Sequence, residues 1–191
     1  MATPAELREV LLSQEEAAAL EAPGGTDAAV LVPLYLDSAE LVAVFTVRRA
    51  DLRRHAGEIS FPGGRRDTPD EELSETALRE AEEEIGLPRE AVELVGALPP
   101  TGTRVTDYKI HPFVGVIQPG HAWTPAPAEV EAVLELPLGA LLRGYENRRL
   151  IRKGVPFKTP TYTVDGHLVW GATARIVESL LTQLRPLLAK G

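Results

Sequence analysis

Hydrophobic and polar positions follow two different periods along this chain. In residues 5–21, Leu7, Val10 and Leu11 can share one helical face among Glu and Ala, and Pro23-Gly24-Gly25 ends the pattern, which predicts an N-terminal helix. Ala28–Leu36 and Glu40–Val47 are apolar runs rich in Val and Leu, separated by Asp37-Ser38-Ala39, and predict a hairpin. Ala91–Leu98, Ile110–Ile117 and Ala128–Leu136 predict further strands, with a short helix over 137–143. Pro99–Lys109 reads as a long polar connection, and the basic stretch Leu150–Pro160 has no clear period. Thr161–Val169 suggests strands around an Asp165-Gly166 turn, and Gly171–Arg185 is an amphipathic helix that Pro186 should end. Strands outnumber helices, with long helices at the middle and the end. The pattern implies an α+β fold, a sandwich with a mixed β-sheet between helices.

The middle helix carries the most information. Thr68-Pro69-Asp70-Glu71 offers an N-cap, a proline at the first helical position and a capping-box Glu, so a helix is expected from there to Ile85, with Gly86 as a left-handed stop. At about 100° per residue, Glu80, Glu83 and Glu84 share an arc of about 100°, bordering the Ala77, Leu78, Ala81 and Ile85 face that suits a core. Glu82 points elsewhere and can stay solvated, while Arg79 reaches Glu75 and Glu83 by i,i+4 spacing. Like charges at these spacings repel, and more strongly as water is removed. A divalent cation reverses the sign of that interaction, and carboxylate oxygens suit Mg²⁺ or Mn²⁺. Taken alone, such a cluster also fits an ordinary solvated helix face.

Composition narrows the setting. The chain has 191 residues, 44% of them hydrophobic and 25% charged, which fits one globular domain over 1–191 with the helices at 5–21 and 171–185 as flanking elements. It contains no cysteine, which excludes disulfides, thiolate metal sites and a cysteine nucleophile. The net charge of −8 argues against nucleic acid as a partner. No run approaches the ~20 apolar residues of a membrane span, and the acidic N-terminal stretch does not resemble a signal or transit peptide. A cytoplasmic protein without a membrane partner, monomeric or homodimeric, is expected.

One stretch breaks with this acidic character. Residues 48–66 hold six arginines, three glycines and His55, with Phe61-Pro62-Gly63-Gly64 near their end, and should be loop or short strand. Glycine lets backbone approach a metal or phosphate closely, and arginine suits bidentate phosphate contact. An acidic cage, a glycine turn and an arginine-rich approach are together the equipment of metal-assisted phosphoryl chemistry.

Gly64 followed by Arg79-Glu80-Ala81-Glu82-Glu83-Glu84-Ile85-Gly86-Leu87 resembles the Nudix box, G-x5-E-x7-R-E-U-x-E-E-x-G-U with U aliphatic. The spacer to Arg79 (residues 65–78) is one residue longer than usual, so Glu71 matches the first Glu only with that insertion. Thr46-Val47-Arg48, Arg53, Gly57 and Phe61-Pro62-Gly63-Gly64 resemble the signature that precedes the box in coenzyme A pyrophosphatases, a Nudix subfamily in which the longer spacer also occurs. Val44-Phe45 replace its two leucines, and Arg49 stands where Ser or Ala is usual.

The resemblance implies the Nudix α/β/α sandwich and hydrolysis of the pyrophosphate of CoA, acyl-CoA or oxidised CoA, with CoA giving 3′,5′-ADP and 4′-phosphopantetheine. It implies Mg²⁺ or Mn²⁺ held by Glu80, Glu83 and Glu84, with the Gly63 or Gly64 carbonyl as a candidate further ligand. Glu83 and Glu129 are the candidates to position or deprotonate the attacking water. Arg79 is expected to orient Glu83. Arg48, Arg53 and Arg54, with Gly63 and Gly64, are the expected substrate contacts. His55 is a candidate phosphate donor, Tyr108 and Trp170 are candidate adenine platforms, and Thr101–Lys109 is a candidate wall over the pantetheine arm. The alternatives are a Nudix pyrophosphatase for ADP-ribose or another nucleotide derivative, and a non-catalytic nucleotide sensor.

Overall fold

The structure is a computed structural model that describes residues 3–38, 40–51, 57–69, 71–103, 107–152 and 155–189. Two antiparallel runs found in the sequence open the main sheet: β1 (Thr26–Asp37) and β2 (Glu40–Arg48). They are followed by β3 (Ile59–Ser60), β4 (Gly63–Arg65), β5 (Glu93–Ala97), β6 (Thr101–Gly102), β7 (Tyr108–Val116) and β8 (Val130–Pro137). The strand path is β3-β2-β1-β7-β5, with β4 and β6 beside β1 and β7 and β8 beside β2. β1 and β7 run parallel and the other pairs antiparallel, so the sheet is mixed, as expected.

β1 changes partner along its length, and this places the glycines. Ala28–Val30 pair with β4, whereas Leu34–Asp37 pair with β2. Pro33 falls in the gap between the two ladders, where neither asks for an N–H. β7 shows the same device: Pro112 lies between the residues paired with β6 and those paired with β5.

Side chains alternate across β1 as a strand covered on both faces requires. Ala29, Leu31 and Tyr35 pack toward α3 (Leu73–Ile85), together with Val42, Val44 and Phe113. Val32 and Leu34 pack on the opposite face with Ala43, Phe45 and the buried stripe Ile176, Val177, Leu180 and Leu184 of α5 (Gly171–Leu188). The short helix expected at 137–143 is α4 (Leu138–Arg143). Among the described residues no helix is long and apolar enough to cross a membrane.

Four expectations need correction. The N-terminal helix is two: α1 (Pro4–Val10) and α2 (Gln14–Ala18), each with its own capping box, Thr3/Glu6 and Ser13/Glu16. The chain flattens between them because Leu12 bridges Ala97, whose N–H donates to the Leu12 carbonyl at 2.8 Å. The middle helix begins at Leu73 and not at the Thr68 cap, because the Glu71 carboxylate is taken up by Arg79 and the Asp67 N–H. Its end is as expected, with Gly86 at φ 70°. The final helix passes Pro186 and reaches Leu188. A proline this close to the helix end removes one hydrogen bond, and Leu187 and Leu188 gain contact with the core. The basic stretch without a period is a hairpin of β9 (Tyr145–Arg152) and β10 (Val155–Val164), extended by β11 (His167–Val169) into a second, three-stranded sheet.

Candidate active site

α3 buries Thr76, Ala77, Leu78, Ala81 and Ile85 against the sheet, so helical geometry leaves Glu80 and Glu84 at the border of that stripe. β4 runs along this border. The Gly63 N–H donates to Glu84 Oε2 at 3.1 Å. A Cβ on Gly64 would lie 2.4 Å from the Glu80 carboxyl carbon, so only glycine leaves that carboxylate its place. Gly63 has φ +157°, and a Cβ there would meet the Ala29 carbonyl oxygen at 2.3 Å.

Arg79 is the hub of the helix's N-terminal side. Its guanidinium donates to Glu71 Oε1 and to Glu80 Oε1, each at 2.9 Å, and to the Arg65 carbonyl at 3.3 Å. Glu83 lies 3.5 Å away and Asp67 3.6 Å away. The expected Arg79–Glu83 pair is present, but the shorter bonds go to Glu71 and Glu80. Glu75 does not pair with Arg79. It and Glu82 both pair with Arg89, at 3.3 and 3.1 Å, so Glu82 is exposed but not merely solvated.

The carboxylates experience opposite electrostatics. The hydrogen bond from Arg79 holds Glu71 down at about 2. Burial pushes Glu84 up to about 7; the Gly63 N–H opposes this, and the negative charges of Glu80 and Glu129 add to it. Glu80 is also raised by burial, with Arg79 acting against the shift. Glu83 points outward, its side chain 61% exposed.

Glu129 precedes β8 at the end of the loop that covers the C-terminus of α3. Its carboxylate lies 3.6 Å from Arg48 Nη1 at the end of β2. The structure therefore brings Arg48, Gly63, Gly64, Glu80, Glu84 and Glu129 around one edge of the helix. It does not bring in the proposed aromatic platforms: Trp170 caps α5 on the other face of the sheet, and Tyr108 opens β7 with its N–H on Thr103 Oγ1 at 2.8 Å. Arg53, Arg54 and His55 lie outside the described residues, as do residues 104–106 of the candidate wall Thr101–Lys109. Sequence reasoning missed the Glu71–Arg79 anchor and the Gly63 N–H on Glu84. The lengthened spacer was the available signal for the first.

The donor set fits a hard dication. Its members are carboxylate oxygens, and the buried Glu84 faces two further carboxylates, with the Gly63 N–H and the charge of Arg48 acting against them. Among the described residues no three acidic or imidazole groups already converge as a finished cage. Glu80 leans on Arg79 and Glu84 on Gly63.

Comparison with known proteins identifies the family and the fold. A family model, the NUDIX domain, matches residues 25–153. The uncharacterized Nudix hydrolase NudL of Salmonella paratyphi B is 38% identical over 159 residues, covering 82% of this chain and 82% of its own, and its Salmonella newport counterpart gives the same figures. The fold is similar to a C. elegans Ap4A hydrolase binary complex, with TM-score 0.56 and 16% identity over 87% of this chain and 100% of that one. It is also similar to the NUDIX domain of Shewanella oneidensis NrtR complexed with ADP ribose, with TM-score 0.52 and 18% identity over 85% of this chain and 88% of that one. With a domain match that runs from β1 through β9, the chain belongs to the Nudix hydrolase family, whose enzymes hydrolyse pyrophosphate bonds.

Proposed function

We propose that this enzyme hydrolyses the pyrophosphate bond of coenzyme A or a CoA derivative, giving 3′,5′-ADP and a 4′-phosphopantetheine product. The observation that supports it is the segment before the box. In the part of the chain that resembles the CoA pyrophosphatase signature, Thr46-Val47-Arg48 and Phe61-Pro62-Gly63-Gly64, the Gly63-Gly64 strand runs beside the acidic helix and Arg48 ends β2 next to Glu129. Arg48 faces Glu129, Gly63 donates to Glu84, Gly64 makes room for Glu80, and Phe61 stacks on Phe45 at 4.4 Å on the opposite, α5 face of the sheet.

Nudix hydrolases generally use divalent ions such as Mg²⁺ or Mn²⁺. Glu80, Glu83 and Glu84 are the residues that would hold the ion here. When bound it supplies polarisation of the phosphoryl oxygens and acidification of a water. Arg79 keeps Glu80 and Glu83 on one side of the helix. Glu129, exposed and steered by Arg48, accepts the proton of the attacking water. That water's oxygen forms a new P–O bond as the bridging P–O bond breaks, and the released phosphate carries the electron pair. Arg48, with Arg53 and Arg54, binds the phosphates of the substrate.

The test is product analysis with Mg²⁺ or Mn²⁺ on CoA, ADP-ribose, diadenosine polyphosphates and nucleoside triphosphates. The proposal expects CoA to have the highest kcat/KM, with 3′,5′-ADP as product. ADP-ribose and Ap4A belong in the panel because fold neighbours bind or hydrolyse them, as their names state. Preferential turnover of either would replace CoA as substrate, and no turnover of any would favour a nucleotide sensor.

A further inference from the structure

We propose that Arg49 is a positioning residue that fixes Glu129 over the catalytic edge of α3. This inference rests on the role given to Glu129 above. The segment before β8 is sewn to the helix at one end: the Thr124 N–H donates to the Ile85 carbonyl at 3.0 Å, and the Ala126 N–H to the carbonyl of Glu84 itself at 2.8 Å. These bonds satisfy two carbonyls that a helix end leaves without partners. From this anchor a turn carries the chain on, the Glu129 and Val130 N–H groups donating to the Ala126 carbonyl at 3.1 and 2.9 Å, and the Pro127 and Glu129 carbonyls are held from the β2 side.

Arg49 holds them. Its backbone N–H donates to the Glu129 carbonyl at 3.0 Å, and its Nη1 donates to the Pro127 carbonyl at 2.9 Å. The same guanidinium is locked by a bidentate pair with Asp51, Nε at 2.9 Å and Nη2 at 2.7 Å, so it reaches Pro127 from a fixed orientation. The ladder between β2 and β8 slips here: Val47 faces Ala132 and Arg48 faces Val130, which makes Glu131 an extra residue. Such a bulge re-aims the side chains that flank it. The Ala50 N–H on Glu131 Oε2 at 3.3 Å pins the bulge from the same turn. Arg49 thus grips both sides of residue 128, next to Arg48, which meets the Glu129 carboxylate at 3.6 Å.

The side chains of Arg49 and Asp51 are 40% and 64% exposed, and exposed ion pairs contribute little to stability. The clamp should therefore act on geometry and leave global stability alone, which separates it from an ordinary structural contact. A displaced Glu129 slows the chemical step and leaves substrate affinity unchanged.

The test compares Arg49→Ala, Arg49→Lys, Glu129→Gln and the Arg49→Ala/Glu129→Gln double variant in the full chain. Steady-state kinetics use whichever pyrophosphate of the panel is turned over fastest, and amide hydrogen exchange is measured without substrate. Arg49→Ala is expected to lower kcat about ten-fold, with KM and Tm unchanged. Arg49→Lys, which can still reach the Pro127 carbonyl, restores part of the loss. The double variant matches Glu129→Gln alone, as residues acting in one chain of effect do. In Arg49→Ala the Glu129 amide exchanges at least about ten-fold faster while the Thr124 amide does not change. A fully active Arg49→Ala beside an impaired Glu129→Gln overturns only the inference, as does full additivity or unaltered exchange at Glu129. A fully active Glu129→Gln overturns the role of Glu129 and the inference with it.

Discussion

The two ends of the acidic cluster along α3 and the loop before it solve the same problem in opposite ways. At the N-terminal end, Glu71 and Glu80 share the guanidinium of Arg79, both at 2.9 Å, and Glu71 is held down at about 2. At the C-terminal end, Glu84 is buried beside Glu80 and Glu129 with one backbone N–H and the more distant charge of Arg48, and burial pushes its carboxyl up to about 7. One end is compensated by the chain itself. The other gathers negative charge where burial disfavours it, an arrangement common at functional sites. On the proposed function, Glu71 and Arg79 serve structure and the Glu84 end serves cation binding.

The largest expected effect separates function from stability at the Glu84 end. Glu84→Gln should lower kcat/KM by about 100-fold or more, because a ligand charge is lost while shape is kept. It should also stabilise the fold at pH 8 in the absence of metal, by about 2 kcal/mol. A raised carboxyl contributes stability that is complete below its ordinary value of 4.5 and lost as pH rises through about 7. Wild type should therefore weaken between those limits and Glu84→Gln should not, which urea melts across pH can read. A variant that loses activity and stability together would erase the contrast.

Arg79→Met probes the other end and should cost about 2 kcal/mol, since it strands two poorly exposed carboxylates. Glu71→Gln is the milder version, with a pH signature opposite to that of Glu84. A depressed carboxyl contributes stability above its ordinary 4.5 that is lost as pH falls toward about 2, so the variant should show a flatter acid limb than wild type. The smallest effect on the fold is expected for Gly64→Ala. Its Cβ would meet the far end of a flexible glutamate, so the protein should fold normally while Glu80 is displaced and activity falls about ten-fold.

The residues that define this comparison were legible in the sequence to different degrees. Periodicity placed Glu80 and Glu84 beside the buried stripe, whereas Glu83, expected there too, points outward; local pattern also placed the β1–β2 hairpin and the Gly86 stop. These features are local, with a period or a φ requirement written into neighbouring residues. The Arg79–Glu71 anchor spans eight positions and a lengthened loop, and the same letters that suggested a capping box at Thr68 instead supply a carboxylate for Arg79. The Gly63 N–H on Glu84 and the Arg49 grip on Pro127 join residues 21 and 78 positions apart, and no local pattern encodes them. The β9–β10 hairpin was hidden because its edge strand, YENRRLIR, lacks the alternation of a strand with one core face and leaves Ile151 74% exposed.

The most direct test of the account is calorimetry of Mn²⁺ binding to wild type, Glu84→Gln and Glu71→Gln at pH 7 in two buffers of different ionisation enthalpy. A carboxyl poised at about 7 and used as a ligand predicts binding that releases about half a proton per ion, abolished in Glu84→Gln and retained in Glu71→Gln. Binding that is unchanged by Glu84→Gln, or that shows the same heat in both buffers, would contradict it.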